Sequence, residues 1–199
     1  FGEAYGAFGH TNPSNFYRFD HRVWLDKLHA EANRSKEQFV VHFKTTYREY
    51  PDLPIWVIAE LMSFGSLSRM CKGMLKKDRK QISHQYGLQP HVLPTWLHHL
   101  TYVRNLCAHH SRLWDRLWAI KPHLPAGMIW QPPHLPGNNR LFCTLLILNY
   151  LMARCPTAVE YASEWRFRVE ELLDQPPAVE NSFLLMGLPD DWARHPIWI

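Results

Sequence analysis

The chain has 199 residues, a length that suits one domain or one domain with a small appendage. Hydrophobic residues make up 46% and aromatic residues 14%, which excludes an intrinsically disordered protein. The net charge of +4 is unevenly distributed along the chain. The region from Glu60 to Arg116 has nine Lys and Arg and three acidic residues, whereas the region after Cys155 has three Lys and Arg and eight acidic residues. This central block also carries six histidines, and such a block favours a polyanionic partner. A solvent-exposed basic face is the alternative.

Two features indicate a cytoplasmic protein that makes no contact with a membrane. No apolar run reaches the roughly 18–20 residues that a membrane-spanning helix needs, and the best candidate, Leu141–Met152, predicts a buried helix. The start of the sequence has no basic stretch followed by an apolar one, so we expect no secretory leader. A beginning at Phe1 predicts a fragment or a processed form. Without a CxxC pair, we expect four reduced core cysteines: Cys71, Cys107, Cys143 and Cys155.

Apolar residues at helical spacing predict helices along most of the chain. The predicted helices cover residues 20–47, 55–62, 67–75, 79–86, 90–116, 138–154 and 157–173. Asp78 is a candidate N-cap for the fourth, Gly87 would end it, and Asn138 or Asn139 could cap the sixth. Five prolines make 121–137 a loop. With no alternating strand pattern, we predict an all-α bundle of five to seven helices over 1–175, and a tail over 176–199 packed on the body.

The helix predicted from residue 90 carries the residues of greatest chemical interest. Arg104 falls on its apolar stripe, which also holds Leu93, Leu97, Leu100 and Cys107. A charge there is costly unless it reaches solvent or pairs with an acid, and Glu60 is the candidate partner. If the helix continues to residue 116, four polar residues spaced four, three and four apart lie in one stripe along it: Asn105, His109, Arg112 and Arg116.

These side chains are the parts that cleavage of RNA needs. An imidazole can move a proton to or from the 2′-hydroxyl or the leaving 5′-oxygen, and His109 is the candidate for this role, with His110 as the alternative. A guanidinium such as Arg104 can stabilise the charge that develops on the phosphate, and Arg112 and Arg116 could bind further phosphates. Asn105 lies one turn before His109 and could orient its ring. No metal is required in principle.

Other candidate sites have simpler explanations. His98, His99 and His110 lack carboxylates at ligand spacing, so we expect no metal site. Trp114 and Trp118 are expected to be core or interface anchors rather than platforms for stacked bases. A basic cluster forms either a solvated turn or a track for RNA: Lys72, Lys76, Lys77, Arg79 and Lys80.

The run from Tyr102 to Arg116 resembles the signature of the Abi-like (AbiD/AbiF) abortive-infection family of phage-resistance proteins. Supporting matches lie upstream and are similar to other blocks of that family: Pro54-Ile55-Trp56, Glu60 to Ser68, Ser35-Lys36-Glu37 and Trp96-Leu97-His98. The resemblance covers about residues 7–120 well and the rest loosely. Family members usually carry a further N-terminal segment, which we expect to be absent here.

The family is similar to the HEPN superfamily of helical ribonucleases and RNA-associated proteins, whose hallmark is Arg, a polar residue, three more residues and His. Arg104, Asn105 and His109 match that hallmark position by position. The resemblance implies a HEPN-like bundle and a metal-independent endoribonuclease that needs no cofactor and leaves a 2′,3′-cyclic phosphate. It further implies a homodimer in which two motifs face each other, an RNA substrate, and a small non-coding RNA or an antitoxin as partner.

Two alternatives stay open at this point. The first is a non-catalytic RNA-binding or protein-interaction module on the same helical scaffold. The second is an enzyme fragment whose missing N-terminal part carries the recognition of RNA or of a partner.

Overall fold

A computed structural model describes residues 1–48, 51–175 and 178–198, and ten α-helices form within these ranges. In chain order they are α1 (Gly2–Tyr5), α2 (His21–Arg34), α3 (Gln38–Thr46), α4 (Ile55–Leu61), α5 (Phe64–Gly73), α6 (Lys76–Gln85), α7 (Val92–Ala108), α8 (Leu141–Met152), α9 (Val159–Asp174) and α10 (Ser182–Met186). The described ranges contain no strand, which confirms the all-α prediction. None of these helices is long and apolar enough to cross a bilayer.

The described residues form two compact units, within Phe1–Lys80 and Gln81–Ile199. In the first unit α2 packs against α4, and its apolar face is buried through Trp24 and Leu28. The Trp24 indole N–H donates a 3.1 Å hydrogen bond to the carbonyl oxygen of Ser66, which ties α2 to the start of α5. The predicted division into 1–175 and a tail over 176–199 remains a prediction.

The second unit is built around α8, which is buried on most of its surface and packs against α9. The rings of Trp96, Trp130 and Tyr150 contact one another beside it, with centroids 5.2–5.6 Å apart. Near the end of the chain the Trp198 ring is also buried, and its N–H donates to the carboxylate of Glu170 at 3.0 Å. Apolar burial of this extent is the main term that stabilises such a unit.

The prediction of one helix over residues 20–47 is wrong, because α2 ends at Arg34 and α3 begins at Gln38. Ser35 has extended backbone angles, so the chain leaves the first helix there. The Lys44 ammonium then reaches back from α3 and donates to the carbonyl oxygen of Ala32 at 2.6 Å. That contact satisfies one of the carbonyls that a helix leaves unpaired at its C-terminal end, and it stabilises the break.

Other helix ends are also set by side-chain contacts. Helix α5 begins at Phe64, earlier than predicted, because the Ser63 hydroxyl accepts a hydrogen bond from the Ser66 N–H and caps the helix. Asp78 is not an N-cap, since it lies inside α6 and accepts a 2.8 Å hydrogen bond from the Tyr5 hydroxyl. Gly87 follows α6 with φ 64°, the left-handed conformation expected where a helix ends.

A long segment over residues 111–140 joins α7 to α8 and contains the predicted proline-rich loop at 121–137. Its backbone is held by side chains from the helix before it. The Trp96 indole donates to the carbonyl oxygen of His123 at 2.7 Å, and His99 binds that of Ile120 at 2.6 Å. Asn138 does not cap α8 but donates to the carbonyl oxygen of Pro122. The segment is therefore irregular in shape but fixed in position.

The cysteines are all free, as predicted, but only two of them belong to the core. Cys71 and Cys143 are buried, and burial raises the pKa of Cys71 to about 11 and that of Cys143 to about 12. Cys107 is exposed and Cys155 is half-buried, so the prediction of a core position is wrong for both. Cys107 lies in the last turn of α7, where Asn105 and Ala108 are also exposed.

Candidate functional site

Helix α7 buries a different face from the one predicted. Its buried side chains include Trp96, His99 and Val103. In the expected apolar stripe Leu93 and Leu100 are buried and Leu97 is half-buried. Arg104 is exposed. Arg104 therefore carries no burial cost and needs no buried acid to offset one.

The helix ends at Ala108, eight residues before the predicted end. The N–H of His110 donates to the carbonyl oxygen of Cys107 at 3.0 Å, and that of Ser111 donates to the carbonyl oxygen of Leu106 at 2.9 Å. Together these bonds form a Schellman motif, which closes a helix and reverses the chain. His110 lies in the left-handed region with φ 52°, where glycine is the usual residue. Backbone geometry, rather than a breaker residue, thus ends the helix.

Three of the candidate residues lie near the exposed C-terminal end of α7. The Arg104 guanidinium donates a 3.3 Å hydrogen bond to the side-chain oxygen of Asn105. Asn105 and His109 are four residues apart, so their side chains leave the axis about 40° from each other. The N–H of His109 also donates to the carbonyl oxygen of Asn105 at 3.1 Å, which fixes His109 as the residue that caps the helix. All three side chains are exposed to solvent.

The prediction of a continuous polar stripe through Arg112 and Arg116 is wrong, because both residues follow the end of the helix. Arg112 forms a 2.9 Å ion pair with Asp115 and lies over the Trp114 ring. The Arg116 side chain donates to the carbonyl oxygen of Arg112 at 3.0 Å. These contacts hold a compact turn next to the helix end. Arg112 keeps two-thirds of its side-chain surface exposed, so it can still meet a phosphate.

The remaining candidates have weaker structural support. Glu60 is exposed on α4 of the first unit, whereas Arg104 belongs to the second unit, and their pairing remains a prediction. His110 is exposed in the turn that closes α7. Trp118 is a buried core residue, as expected, and its indole donates to the carbonyl oxygen of Arg140 at 2.7 Å.

His99 holds the segment after α7 in place, and the sequence did not indicate this role. It is fully buried, and its ring binds Ile120 O through Nδ1 and the Thr144 hydroxyl through Nε2 at 2.9 Å. Burial lowers the pKa of His99, so the neutral ring donates to the carbonyl and accepts from the hydroxyl. Its position three residues after Trp96 and four before Val103 was the available signal, because that spacing places it on the buried face.

The arrangement at the end of α7 suits proton transfer and anion binding. An exposed guanidinium, an exposed amide and an exposed imidazole follow one another within about 1.4 helical turns. In residues 1–48, 51–175 and 178–198 there is no group of three His, Cys, Asp or Glu side chains placed to hold a metal ion. The chemistry available from these side chains is acid–base transfer next to a bound phosphate.

Comparison with known proteins gives one match. A family model described as "Abi-like protein" matches residues 1–115, more than half of the chain. The matched part includes α7 and the candidate residues up to Arg112, whereas Arg116 lies just beyond it. Searches among curated proteins and among solved structures found no match.

Proposed function

The chain belongs to the Abi-like protein family, which indicates a role in abortive-infection defence against phages, and we propose that it acts there as a metal-independent endoribonuclease of the HEPN type. One observation carries this proposal. Arg104 is hydrogen-bonded to Asn105 on the exposed last turn of α7, and His109 caps the same turn. These exposed residues support the proposal because they are the ones that correspond to the hallmark that the sequence resembles.

In the proposed reaction the 2′-oxygen of a ribose attacks the adjacent phosphorus while the bond from phosphorus to the 5′-oxygen breaks. One imidazole takes the proton of the 2′-hydroxyl, and a second gives a proton to the 5′-oxygen. The products are a 2′,3′-cyclic phosphate and a 5′-hydroxyl, so no water or metal enters the step. The Arg104 guanidinium stabilises the negative charge on the non-bridging phosphate oxygens.

Asn105 contributes by holding the guanidinium of Arg104. A guanidinium has five N–H donors, and the contact with Asn105 uses only one of them. The others are available for a bidentate contact with a phosphate. Because the C-terminal end of a helix carries partial negative charge, a cation at this position is needed to offset the repulsion of a phosphate there.

A second copy of the chain supplies the second imidazole in this proposal. The reaction needs both a base and an acid, and His109 of each copy would fill one role across a homodimer. The turnover per chain should then fall on dilution below the dimer dissociation constant. A rate per chain that does not depend on concentration, together with loss of activity in His110→Ala, would instead assign both roles to His109 and His110 of one chain.

The deciding experiment is cleavage of single-stranded RNA by the purified protein in EDTA. His109→Ala should lower the rate about 10²–10⁴-fold, and Arg104→Ala about 10²–10³-fold. Matched controls are His98→Ala, an exposed histidine of the same helix, and Arg168→Ala, an exposed arginine of the same unit, and both should retain activity.

Three outcomes would contradict the proposal. Equal cleavage by Arg104→Ala, His109→Ala and the unaltered protein would refute the site. Loss of cleavage in EDTA would refute the metal-independent reaction. Salt-dependent RNA binding without cleavage would favour the non-catalytic RNA-binding module.

A further inference from the structure

A cationic pocket of about 380 Å³ lies in the first unit and uses residues that the proposed function leaves without a role. Its lining includes four cations: Arg18, Arg69, Lys72 and Arg79. The same lining contains one carboxylate, Asp20. Lys72 and Arg79 belong to the basic cluster identified in the sequence. Arg18 and Arg69 do not, and the fold brings them next to that cluster.

The positive charge of this pocket is not neutralised by neighbouring acids. The Asp20 side chain accepts a hydrogen bond from the N–H of Val23 and caps α2. In the part of the chain that the structure describes, none of the four cations forms an ion pair with a carboxylate. A local excess of cations is the electrostatic requirement for binding a polyanion.

One donor of the Arg79 side chain has no acceptor among the described residues. One terminal nitrogen of its guanidinium donates to the carbonyl oxygen of Lys72 at 3.1 Å and holds the group in place. Its Nε atom is shielded from solvent and has no hydrogen-bond partner among the described residues. A shielded N–H without an acceptor is costly, and an anionic oxygen in the pocket would offset that cost.

The shape of the pocket depends on close contact between two distant segments. The N–H of Tyr17 donates to the carbonyl oxygen of Gly73 at 2.8 Å, and Phe16 forms an isolated bridge with Met74. A Cβ atom at position 73 would lie 2.5 Å from Cγ of Phe19, so only glycine allows this packing. Arg18, the residue after Tyr17, has φ 47°, a backbone conformation that is unfavourable for a residue with a side chain. Strained residues of this kind cluster at ligand sites.

An aromatic ring completes the site. The Tyr17 side chain lines the pocket, and the residue is 56% exposed. The Arg18 guanidinium lies 5.2 Å from its centroid, so the ring and the cation position each other. Single-stranded nucleic acids are bound by this combination of cations along the backbone and an exposed ring on which a base stacks.

We propose that this pocket binds single-stranded RNA, with Arg69, Lys72 and Arg79 on its phosphates and Tyr17 stacked on a base. The inference rests on the proposed function only for the choice of RNA as the polyanion. Planar guanidinium groups favour phosphate, and the exposed ring favours a base over the carboxylates of an acidic peptide. The pocket would give the protein an RNA contact in the unit that does not contain Arg104 and His109.

The first test measures binding of a fluorescent single-stranded RNA to the full chain carrying His109→Ala, which prevents cleavage, in EDTA. Arg69→Ala combined with Lys72→Ala should weaken binding about tenfold or more. It should also reduce the slope of log affinity against log salt by about 1.4, which corresponds to about 0.7 for each lost phosphate contact. The matched control is Arg34→Ala with Lys36→Ala, which removes one exposed arginine and one exposed lysine of the same unit outside the pocket.

The second test separates stacking from charge. Tyr17→Ala should weaken binding roughly tenfold without changing the salt slope, whereas Tyr17→Phe should retain the affinity because it keeps the ring. The proposal would be overturned if the Arg69→Ala, Lys72→Ala variant and the Arg34→Ala, Lys36→Ala control bound RNA with equal affinity. Competition by a glutamate-rich peptide as effective as unlabelled RNA would also overturn it. Failure of the cleavage experiment leaves these binding results interpretable, because they do not require an active catalytic site.

Discussion

The carbonyl oxygen of Leu106 accepts a 2.9 Å hydrogen bond from the N–H of Ser111, and this bond turns the chain away from α7 directly after His109. Arg104, Asn105 and His109 are exposed at this end of the helix. The turn also forces His110 into a backbone conformation that costs about 1–2 kcal/mol for a residue other than glycine.

His110→Gly should therefore raise the free energy of unfolding by about 1 kcal/mol, because glycine adopts the left-handed conformation without strain. Urea unfolding followed by tryptophan fluorescence would measure this change. His110→Ala is the control and should bring no gain. If His109 is the proton-transfer residue, His110→Gly should also retain RNA cleavage, and a loss comparable to that of His109→Ala would assign the role to His110.

Thr144→Val should destabilise the protein by about 1–2 kcal/mol, because it removes the hydroxyl that donates to the buried His99 ring. Thr101→Val is the matched control on α7, since the Thr101 hydroxyl bonds only to the carbonyl oxygen of Leu97 in its own helix. Thermal unfolding of both variants would compare them. Equal melting temperatures would show that the His99 contact adds nothing to stability.

Acid should weaken the fold through His10. Burial lowers the pKa of His10 to about 4, from an ordinary value near 6.5. Between these two pH values the unfolded chain binds a proton that the folded chain does not. Stability is therefore fully present above pH 6.5 and falls as the pH drops toward 4, by on the order of 3 kcal/mol at most. Urea unfolding over this pH range should show a smaller fall for His10→Gln and an unchanged fall for the exposed control His42→Gln.

The cysteines should react with iodoacetamide in two groups. Hydrogen bonds from the Thr157 side chain and backbone lower the pKa of Cys155, which increases its reactive thiolate form. Cys155 and the exposed Cys107 should be alkylated first, whereas the buried Cys71 and Cys143 should react only after unfolding. Peptide mass spectrometry after a short pulse would give the order. Early modification of Cys143 in the folded protein would contradict this burial pattern.

Local periodicity was enough to predict the class of the fold and the presence of most helices. It could not give their ends, which depend on contacts between residues that are distant in sequence or on backbone geometry. Lys44 stabilises the break after α2, and the Schellman motif at His110 ends α7, although neither residue is a glycine or a proline. The pattern of apolar residues in a sequence does not indicate such contacts.

The candidate site was predictable in part for the same reason. Arg104, Asn105 and His109 are neighbours on one helix, so their spacing alone indicated proximity. Their exposure was not predictable, because the buried face of α7 is set by the elements that pack on it. The cationic pocket is the extreme case. Arg18 and Arg69 are far apart in sequence, and they line one pocket because Tyr17 pairs with Gly73.

The long segment between α7 and α8 is attached at three points through its carbonyl oxygens. Side chains outside it bind the oxygens of Ile120, His123 and Ile129. A carbonyl oxygen is the same atom in every amino acid, so these attachments do not depend on the residue that provides it. The exposed side chains of this segment can therefore change considerably while its course stays the same, provided that the donors His99, Trp96 and His195 remain. The buried rings of Trp118 and Trp130 have to be kept as well. This part of the molecule offers positions where new recognition residues can be introduced without refolding the helices that carry Arg104 and His109.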